Sequence, residues 1–110
     1  LNNIAHSYAG ETFLLAFQGE FIVGCGALVA EEVRHGCGRI VRMSVKKEHR
    51  RQGIGQQILR DLEEAAVQRH FHKLVLETTT DWQEVVAFYL GNGYHIVEHR
   101  DGDTHFEKEL

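Results

Sequence analysis

The segment from residue 42 to residue 56 places the strongest constraint on how this 110-residue chain can fold. It joins a strand, predicted over residues 38–45, to an amphipathic helix through a basic turn that ends in two glycines. Gly53 and Gly55 lack Cβ atoms, so a ligand can approach their backbone closely. The first turn of a helix carries N–H groups without intrahelical partners, and together with the helix dipole these donors favour anions. The segment therefore predicts a cradle for phosphate groups.

The charge distribution agrees with a small anionic ligand. The chain has 12 Lys and Arg residues against 16 Asp and Glu residues, a formal net charge of -4, which argues against general nucleic-acid binding. The positive charge is instead local, because a basic cluster precedes the glycines: Lys46, Lys47, His49, Arg50 and Arg51. Arginine matches the geometry of phosphate oxygens, so this cluster supports the cradle.

Chain length and composition predict a single domain over residues 1–110. No apolar run approaches the roughly 20 residues of a membrane span, and no signal peptide is recognisable at the N-terminus. Cys25 and Cys37 lack metal-type spacing, which favours free thiols in a reducing compartment, with a bridge between neighbouring strands as the alternative. We therefore expect a cytoplasmic protein without a membrane partner.

Hydrophobic periodicity predicts a mixed α+β fold, α/β-like at its centre. Residues 1–10 have no clean period and are predicted to be a loop or a frayed helix end. Asp81 is predicted to cap a second helix that ends at Leu90. The strands are predicted over residues 12–17, 21–30, 38–45, 73–79, 94–98 and 104–108, and the first helix over residues 54–70. This order, β-β-β-α-β-α-β-β, predicts a mostly antiparallel sheet with one right-handed β-α-β crossover and local parallel pairing.

Two glycines lie inside the second predicted strand. Gly24 and Gly26 interrupt an otherwise apolar run. Such glycines indicate a β-bulge or a close approach of the backbone to another element.

Two common phosphate-binding motifs do not fit the glycine pair. A Walker P-loop needs Gly-Lys-Ser/Thr at the start of the helix, but Gly55 is followed by Gln56 and Gln57. A dinucleotide fingerprint needs a third glycine at the position that Ile58 occupies. The pattern that remains is Arg-Arg-Gln-Gly-Ile-Gly over residues 50–55.

That pattern resembles motif A of the GNAT acetyltransferase superfamily, whose loop holds the pyrophosphate of acetyl-coenzyme A. A second match lies downstream, because Ala-Phe-Tyr-Leu-Gly-Asn-Gly-Tyr over residues 87–94 is similar to the family's Phe-Tyr-x-x-x-Gly-Phe ending of the next helix. With the order of elements, the resemblance covers residues 12–110. It implies the acyl-CoA N-acyltransferase fold and an N-acetyltransferase that moves an acetyl group from acetyl-CoA to an amine by direct attack in a ternary complex.

The resemblance also implies roles for individual residues. Phe88 would pack near the thioester, and Tyr89 would protonate the leaving thiolate as the general acid, a role that suits a phenol at neutral pH. The backbone of Met43, Ser44 and Val45 would pair with the pantetheine arm. The phosphates would be held by Arg50, Arg51, Gln52, Gly53, Ile54, Gly55 and Gln56.

The partners implied are acetyl-CoA as co-substrate and an amine acceptor, either a small molecule or a protein N-terminus or lysine. No metal is expected, because His70 and His72 have no third ligand at a suitable spacing. Neither a nucleic acid nor a membrane is expected as a partner.

The chain departs from the family pattern at three positions. Trp82 replaces the usual asparagine early in the second helix and is predicted to be a packing residue. Val85 replaces the usual alanine three residues later. Arg39 stands where many members carry a glutamate base, for which Glu31, Glu32 or a chain of waters could substitute.

A further departure concerns the N-terminal part of the family fold, a strand and two helices that wall the acceptor pocket. Little of it precedes Thr12, so we expect it to be truncated here or supplied by another subunit, as in a homodimer. The alternative function is a CoA-binding module without catalysis, with a regulatory or structural role. An unrelated nucleotide-binding regulator is a more distant alternative.

Overall fold

The computed structural model describes the backbone of residues 2–8 and all of residues 11–110. The described residues form one seven-stranded sheet in the order β1-β2-β3-β4-β5-β7-β6, with two α-helices. The strands are β1 (Asn2–Tyr8), β2 (Glu11–Gln18), β3 (Phe21–Ala30), β4 (Cys37–Val45), β5 (Lys73–Thr79), β6 (His95–Arg100) and β7 (Asp103–Glu109). The helices are α1 (Ile54–Gln68) and α2 (Gln83–Gly91), and a 3-10 turn covers Lys47–His49.

The strand pairing confirms the predicted mixed sheet. β4 precedes α1 in the chain and β5 follows it, and these two strands pair in parallel. The other neighbouring strands pair antiparallel. The predicted hairpins are present at both ends of the chain, between β2 and β3 and between β6 and β7. Cys25 and Cys37 are free thiols.

The N-terminal prediction was wrong for most of its length. Residues 2–8 form a strand that pairs with β2 from Asn2 opposite Phe17 to Tyr8 opposite Glu11, whereas Leu1, Ala9 and Gly10 lie outside the described residues. Periodicity in a sequence reports the burial of side chains, but a backbone ladder at the edge of a sheet does not require that pattern.

The start of α2 also differs from the prediction. Trp82, not Asp81, is the N-cap residue, and no side chain caps the helix there. Asp81 contributes its backbone instead, because its carbonyl accepts a hydrogen bond from the Gln83 amide at 3.0 Å. A preference for aspartate at N-caps was overridden by the turn geometry after β5.

The core lies between the sheet and one face of α1. The helix buries Ile54, Ile58, Leu59, Leu62 and Ala66, which pack against strand residues that include Leu14, Val23, Leu28, Ile40 and Leu74. This spacing is the apolar stripe expected of an amphipathic helix. Burial of these side chains supplies the hydrophobic stabilisation that fixes α1 on the sheet.

The glycines of β3 allow this close packing, as predicted. A Cβ added to Gly24 would lie 3.0 Å from Ile58 Cδ1, and one added to Gly26 would lie 2.7 Å from Met43 Sδ and 2.9 Å from Ile58 Cγ2. Any side chain at Gly26 would therefore push α1 away from the sheet or displace the side chain of Met43.

The predicted irregularity is present as well, as a β-bulge between β3 and β4. Cys25 faces Ser44 and Ala27 faces Val41, so Gly26 lies opposite two residues of β4, Arg42 and Met43. Arg42 adopts a positive φ of 58°, and its carbonyl accepts a hydrogen bond from Cys25 Sγ at 3.2 Å. The extra residue reverses the alternation of β4 side chains.

We expect Gly26→Ala to destabilise the fold by about 1–3 kcal/mol, the usual cost of overpacking a close-packed core. Gly91→Ala is the matched control, because no atom lies within 4 Å of a Cβ at that helical position. Denaturant unfolding measures both variants. Equal stability of the two variants would show that the close contact at Gly26 does not constrain the sheet.

Candidate active site

The candidate active site is a cleft that opens where β4 and β5 part. Among the described residues, these strands pair only between Cys37–Arg39 and Lys73–Val75, although both continue beyond that point. The cleft has a volume of about 1290 Å³. Its walls are residues 40–45 of β4, residues 76–79 of β5, the loop before α1 and one side of α2.

The β4 wall presents backbone groups to the cleft. One edge of β4 is hydrogen-bonded to β3 up to Val45 opposite Gly24, whereas the other edge loses its β5 partner after Arg39. Because of the bulge, Met43 and Val45 turn their side chains against the core, as Ile40 does before it. Apart from the Val45 carbonyl, which Arg50 binds, the cleft-side N–H and C=O groups of this segment are therefore available to an extended ligand.

The loop before α1 has the geometry of an anion site. Arg51 and Gly53 both have positive φ values, 65° and 83°. Gly53 is the N-cap of α1 and has no side chain, so no side-chain cap satisfies the first-turn amides. No atom lies within 4 Å of a Cβ at Gly53, and a Cβ at Gly55 would make ordinary contacts with Phe88 Cζ and Val45 Cγ2, each 3.6 Å away. We call the residues Arg50, Arg51, Gly53, Gly55 and Gln56 the cradle.

The arginines of the cradle are held by different partners. Arg50 Nε donates a hydrogen bond to the Val45 carbonyl at 3.1 Å. Arg51 forms an ion pair with Glu84 of α2, with Nη2 and Oε1 separated by 2.8 Å. Both side chains of that pair are largely exposed, so the pair adds little stability, and Arg51 can exchange Glu84 for a stronger anion.

Tyr89 lies on α2 at the inner part of the cleft. Its ring is only 5% exposed and packs against Phe88 at 5.1 Å and against Tyr94 and Phe106, both at 5.6 Å between centroids. Among the described residues its hydroxyl has no hydrogen-bond partner. Burial raises the pKa of Tyr89 from the ordinary 10.0 to about 12.

Tyr94 provides a contrast within the same aromatic cluster. Its hydroxyl donates a hydrogen bond to Glu63 Oε2 at 2.7 Å, and Lys108 Nζ binds the same oxygen at 3.0 Å. Burial, reinforced by Glu63, raises the pKa of Tyr94 well above its usual value. Tyr94 thus has a structural partner and lies outside the cleft wall, whereas Tyr89 is in that wall.

The carboxylates of the cleft are not those that the sequence suggested. Neither Glu31 nor Glu32 lines it. Arg39 binds Glu31 and Glu77 together, and although burial alone would raise the pKa of Glu31, the hydrogen bond and charge of Arg39 lower it. Glu77, on β5 just past the last residue paired with β4, does line the cleft. In the sequence, Glu77 occupies an ordinary strand position. It belongs to the site only because β4 and β5 separate before they reach it.

Trp82 is likewise not the packing residue that the sequence predicted. Its side chain is 62% exposed and forms part of the cleft wall. Exposed aromatic residues beside a cleft are a signal of binding that no short motif carries.

The structure therefore brings most of the predicted site residues to one cleft. Those in its wall are Met43, Ser44, Val45, Arg50, Arg51, Gly53, Gly55, Gln56, Phe88 and Tyr89. Gln52 and Ile54 are not in the wall, and Ile54 is buried in the core, where it anchors the first turn of α1.

No group of three or more His, Cys, Asp or Glu residues within residues 2–8 and 11–110 could hold a metal ion. No helix over the same residues is long and apolar enough to cross a membrane.

Comparison with known proteins agrees with this architecture. The family model of the GNAT acetyltransferases matches residues 2–94. The chain belongs to the GNAT acetyltransferase family. The predicted resemblance is thereby confirmed, and so is the predicted acyl-CoA N-acyltransferase fold.

Three relatives illustrate the range of similarity. The uncharacterized N-acetyltransferase YsnE of Bacillus subtilis is 39% identical over 67 residues, which are 61% of this chain and 43% of that protein. A Klebsiella pneumoniae structure assigned to the acyl-CoA N-acyltransferases is 31% identical, has a TM-score of 0.82, and is matched over 92% of this chain and 73% of its own. The PaiA N-acetyltransferase of Thermoplasma acidophilum, solved in complex with coenzyme A, shares the fold at a TM-score of 0.84 and 21% identity, over 92% of this chain and 62% of its own.

The chain corresponds to only part of each curated relative. It spans about half the length of the curated relatives it matches, between 40% and 59% of each.

The raised pKa of Tyr89 predicts an alkaline loss of stability. Tyrosine ionises near 10.0 in the unfolded chain and near 12 in the folded one, so the stabilisation is complete below pH 10 and is lost as the pH rises through about 12. Tyr89→Phe should show a shallower decline of the unfolding free energy over this interval. Identical declines in wild type and variant would contradict the assigned burial of the phenol.

Proposed function

We propose that the chain is an N-acetyltransferase that transfers the acetyl group of acetyl-CoA to an amine by direct attack in a ternary complex. The observation that supports this best is the order of features in one cleft. An anion cradle lies at a helix N-terminus, a free strand edge runs beside it, and a buried phenol without a partner lies further in.

The cradle fits the phosphates of CoA. The space that a Cβ would fill is open at Gly53 and bordered by Phe88 and Val45 at Gly55, and the first-turn amides have no side-chain cap. The helix dipole and two arginines add positive potential at the same point. We assign Arg50, Arg51, Gly53, Gly55 and Gln56 to direct contact, while Gln52 and Ile54 act through their backbone and by fixing the helix start.

The free edge of β4 fits the pantetheine arm. The arm contains amide groups, and an extended chain with amides can pair with an unpaired strand edge in the manner of an added strand. Met43, Ser44 and Val45 belong to the part of β4 that lines the cleft. These residues would orient the arm so that its thioester reaches Phe88 and Tyr89.

Tyr89 is suited to donate a proton. Its pKa of about 12 keeps the phenol protonated at neutral pH, and its hydroxyl is not engaged by another described residue. Acetyl-CoA supplies the thioester that the amine attacks, so that a C–N bond forms and the C–S bond breaks. The leaving thiolate takes the phenolic proton, and the phenolate is then reprotonated from solvent.

The attacking amine must lose a proton as the C–N bond forms. We assign Glu77 to this role, because it lines the cleft and Arg39 binds its carboxylate. The amine transfers this proton to Glu77 directly or through a water, so that the protons of the reaction balance. The acceptor is proposed to be an amine on a small molecule or a protein N-terminus or lysine, in the cytoplasm.

A second candidate is a domain that binds CoA without catalysis. Arg39 favours it, since an arginine occupies the position where many relatives of this fold carry the base, and its guanidinium engages Glu77. Both candidates require CoA binding, and only the first requires release of thiol in the presence of an amine.

Gly55→Val tests the cradle. We expect CoA affinity to fall at least about tenfold, because the branched side chain takes the space of the phosphates, a loss of about 1.4 kcal/mol or more. The melting temperature is measured alongside to separate this loss from a loss of fold, because a Cβ at Gly55 already contacts Phe88 Cζ and Val45 Cγ2 at 3.6 Å. Calorimetry with CoA measures the affinity, with Gly91→Val, a helical glycine outside the cleft wall, as the control. Unchanged affinity in Gly55→Val would refute the cradle.

Tyr89→Phe tests catalysis. We expect kcat for thiol release to fall by about 100-fold, the usual contribution of a general acid, with the Kd for CoA nearly unchanged. The assay measures free thiol across a panel of amines. Tyr94→Phe is the matched control, because that hydroxyl binds Glu63 and lies outside the cleft. If CoA binds but no amine releases thiol in wild type, the domain without catalysis becomes the function.

A further inference from the structure

A histidine lies between two glutamates on one face of the sheet. His105 of β7 is directly opposite Glu77 of β5 on one side and Glu98 of β6 on the other. Residues directly opposite each other in antiparallel strands point to the same face, with Cβ atoms about 4.5–5.5 Å apart. The side chains of Glu77, His105 and Glu98 therefore form a row across three neighbouring strands, which we call the Glu-His-Glu row.

The row begins at the active site and ends at the edge of the sheet. Glu77 lines the cleft, and all three residues of the row line a second pocket that shares Leu76 and Glu77 with the cleft. β6 is the outer strand on this side of the sheet. The side chain of Glu98 is 50% exposed. The row thus connects the cleft with solvent.

The second pocket has room for water between the members of the row. Its volume is about 130 Å³, well above the roughly 10–15 Å³ that one water needs. Among the described residues, neither ring nitrogen of His105 takes part in a hydrogen bond. Arg39 Nη1 donates to Oε2 of Glu77 and leaves Oε1 of that carboxylate available. A proton can therefore pass between Glu77 and His105 through water in the pocket.

Other charged groups surround the row. Glu77 is bound by Arg39, and Oε1 of Glu98 lies 3.6 Å from Nη1 of Arg100. The imidazole of His105 is thus the member of the row that no charged side chain engages. The charged residues on this face beside the row are Arg34, Arg39, Lys73, Arg100, Asp103 and Glu107.

We propose that the Glu-His-Glu row carries the proton of the acceptor amine from the active site to solvent, with His105 as the relay. The inference rests on the proposed function and deepens it by naming the route that returns Glu77 to its ionised form after each turnover. An imidazole suits this step in general. Histidine is the side chain that ordinarily changes charge between about pH 5 and 8, so at neutral pH it can both accept and release a proton.

Protons are conserved at each step of the relay. As the C–N bond forms, the amine gives its proton to Oε1 of Glu77. The carboxyl group passes this proton through water to one ring nitrogen of His105, and the other ring nitrogen releases its proton toward Glu98 and solvent. Exchange with water then restores the first tautomer of the imidazole. His105 acts through Glu77 and touches neither the acceptor nor the thioester, so it is a positioning residue.

The pH profile of kcat at saturating acceptor tests the relay. In wild type, kcat should fall as the pH is lowered from about 8 to about 5, because a protonated imidazole cannot accept a proton. His105→Gln should lower kcat at pH 8 by about tenfold, less than the roughly 100-fold of a group that transfers the proton to substrate. The decline toward pH 5 should flatten in this variant, and the Kd for CoA should stay as in wild type.

His99→Gln is the matched control for this profile. His99 lies on β6 of the same hairpin, hydrogen-bonds with Thr104 Oγ1 at 3.1 Å, and lines neither the cleft nor the second pocket. Its variant should keep the pH profile of wild type. A profile of wild-type shape in His105→Gln would overturn the relay.

Rescue by added imidazole distinguishes a relay from a structural role. His105→Ala removes the ring from a pocket bordered by the exposed side chains of Glu98 and Arg100. Imidazole in the buffer should raise kcat of this variant in proportion to its concentration and leave His99→Ala unchanged, after subtraction of the thiol released without enzyme. A loss of kcat in His105→Ala that imidazole does not restore would make His105 a structural residue and overturn the relay.

The outcomes separate the relay from the proposed function. Wild type that releases thiol with an amine, together with His105 variants that keep its pH profile, overturns the relay and leaves the acetyltransferase intact. Wild type that releases no thiol with any amine overturns the proposed catalysis, and the relay with it.

Discussion

The parting of β4 from β5 is the constraint on which the rest of the site depends. The two strands share hydrogen bonds over three residues each and then diverge around the cleft. A parallel pair requires a crossover connection, and here that connection is the loop of the cradle followed by α1. The N-terminus of α1 is therefore at the open end of the strands, where its unpaired amides face the space that the strands leave.

The parting is maintained by contacts on both sides of it. On β3, two glycines let α1 lie close to the sheet, and the bulge opposite Gly26 turns Met43 and Val45 toward the core. On β5, the strand continues to pair with β7 from Lys73 opposite Glu109 to Thr79 opposite Asp103, so it cannot follow β4. Arg39, which binds Glu77 across the two strands, lies at the point where they separate. Strand pairing and helix packing thus hold the cleft open.

The electrostatic character of the cleft changes along its length. The cradle is exposed and cationic, and the only described partner of the Arg51 guanidinium is the weakly held Glu84. Tyr89 is desolvated among aromatic rings, which raises its pKa and keeps its proton. An anionic group is thus attracted at one end, while a proton donor is preserved at the other. This arrangement suits a ligand that carries phosphates and a thioester on one chain.

The sequence by itself determined the elements whose signals are local. The glycines of the cradle, the apolar stripe of α1 and the phenol at residue 89 could be assigned because backbone conformation, helical period and residue chemistry are properties of short segments. Only the tertiary structure decided what depends on neighbours distant in the chain. It showed β1 as a strand because the ladder to β2 needs no side-chain period, moved the N-cap of α2 to Trp82, and exposed that indole. It also left Glu31 and Glu32 outside the cleft and placed Glu77 in its wall, because the point where two strands separate is set by packing across the whole sheet.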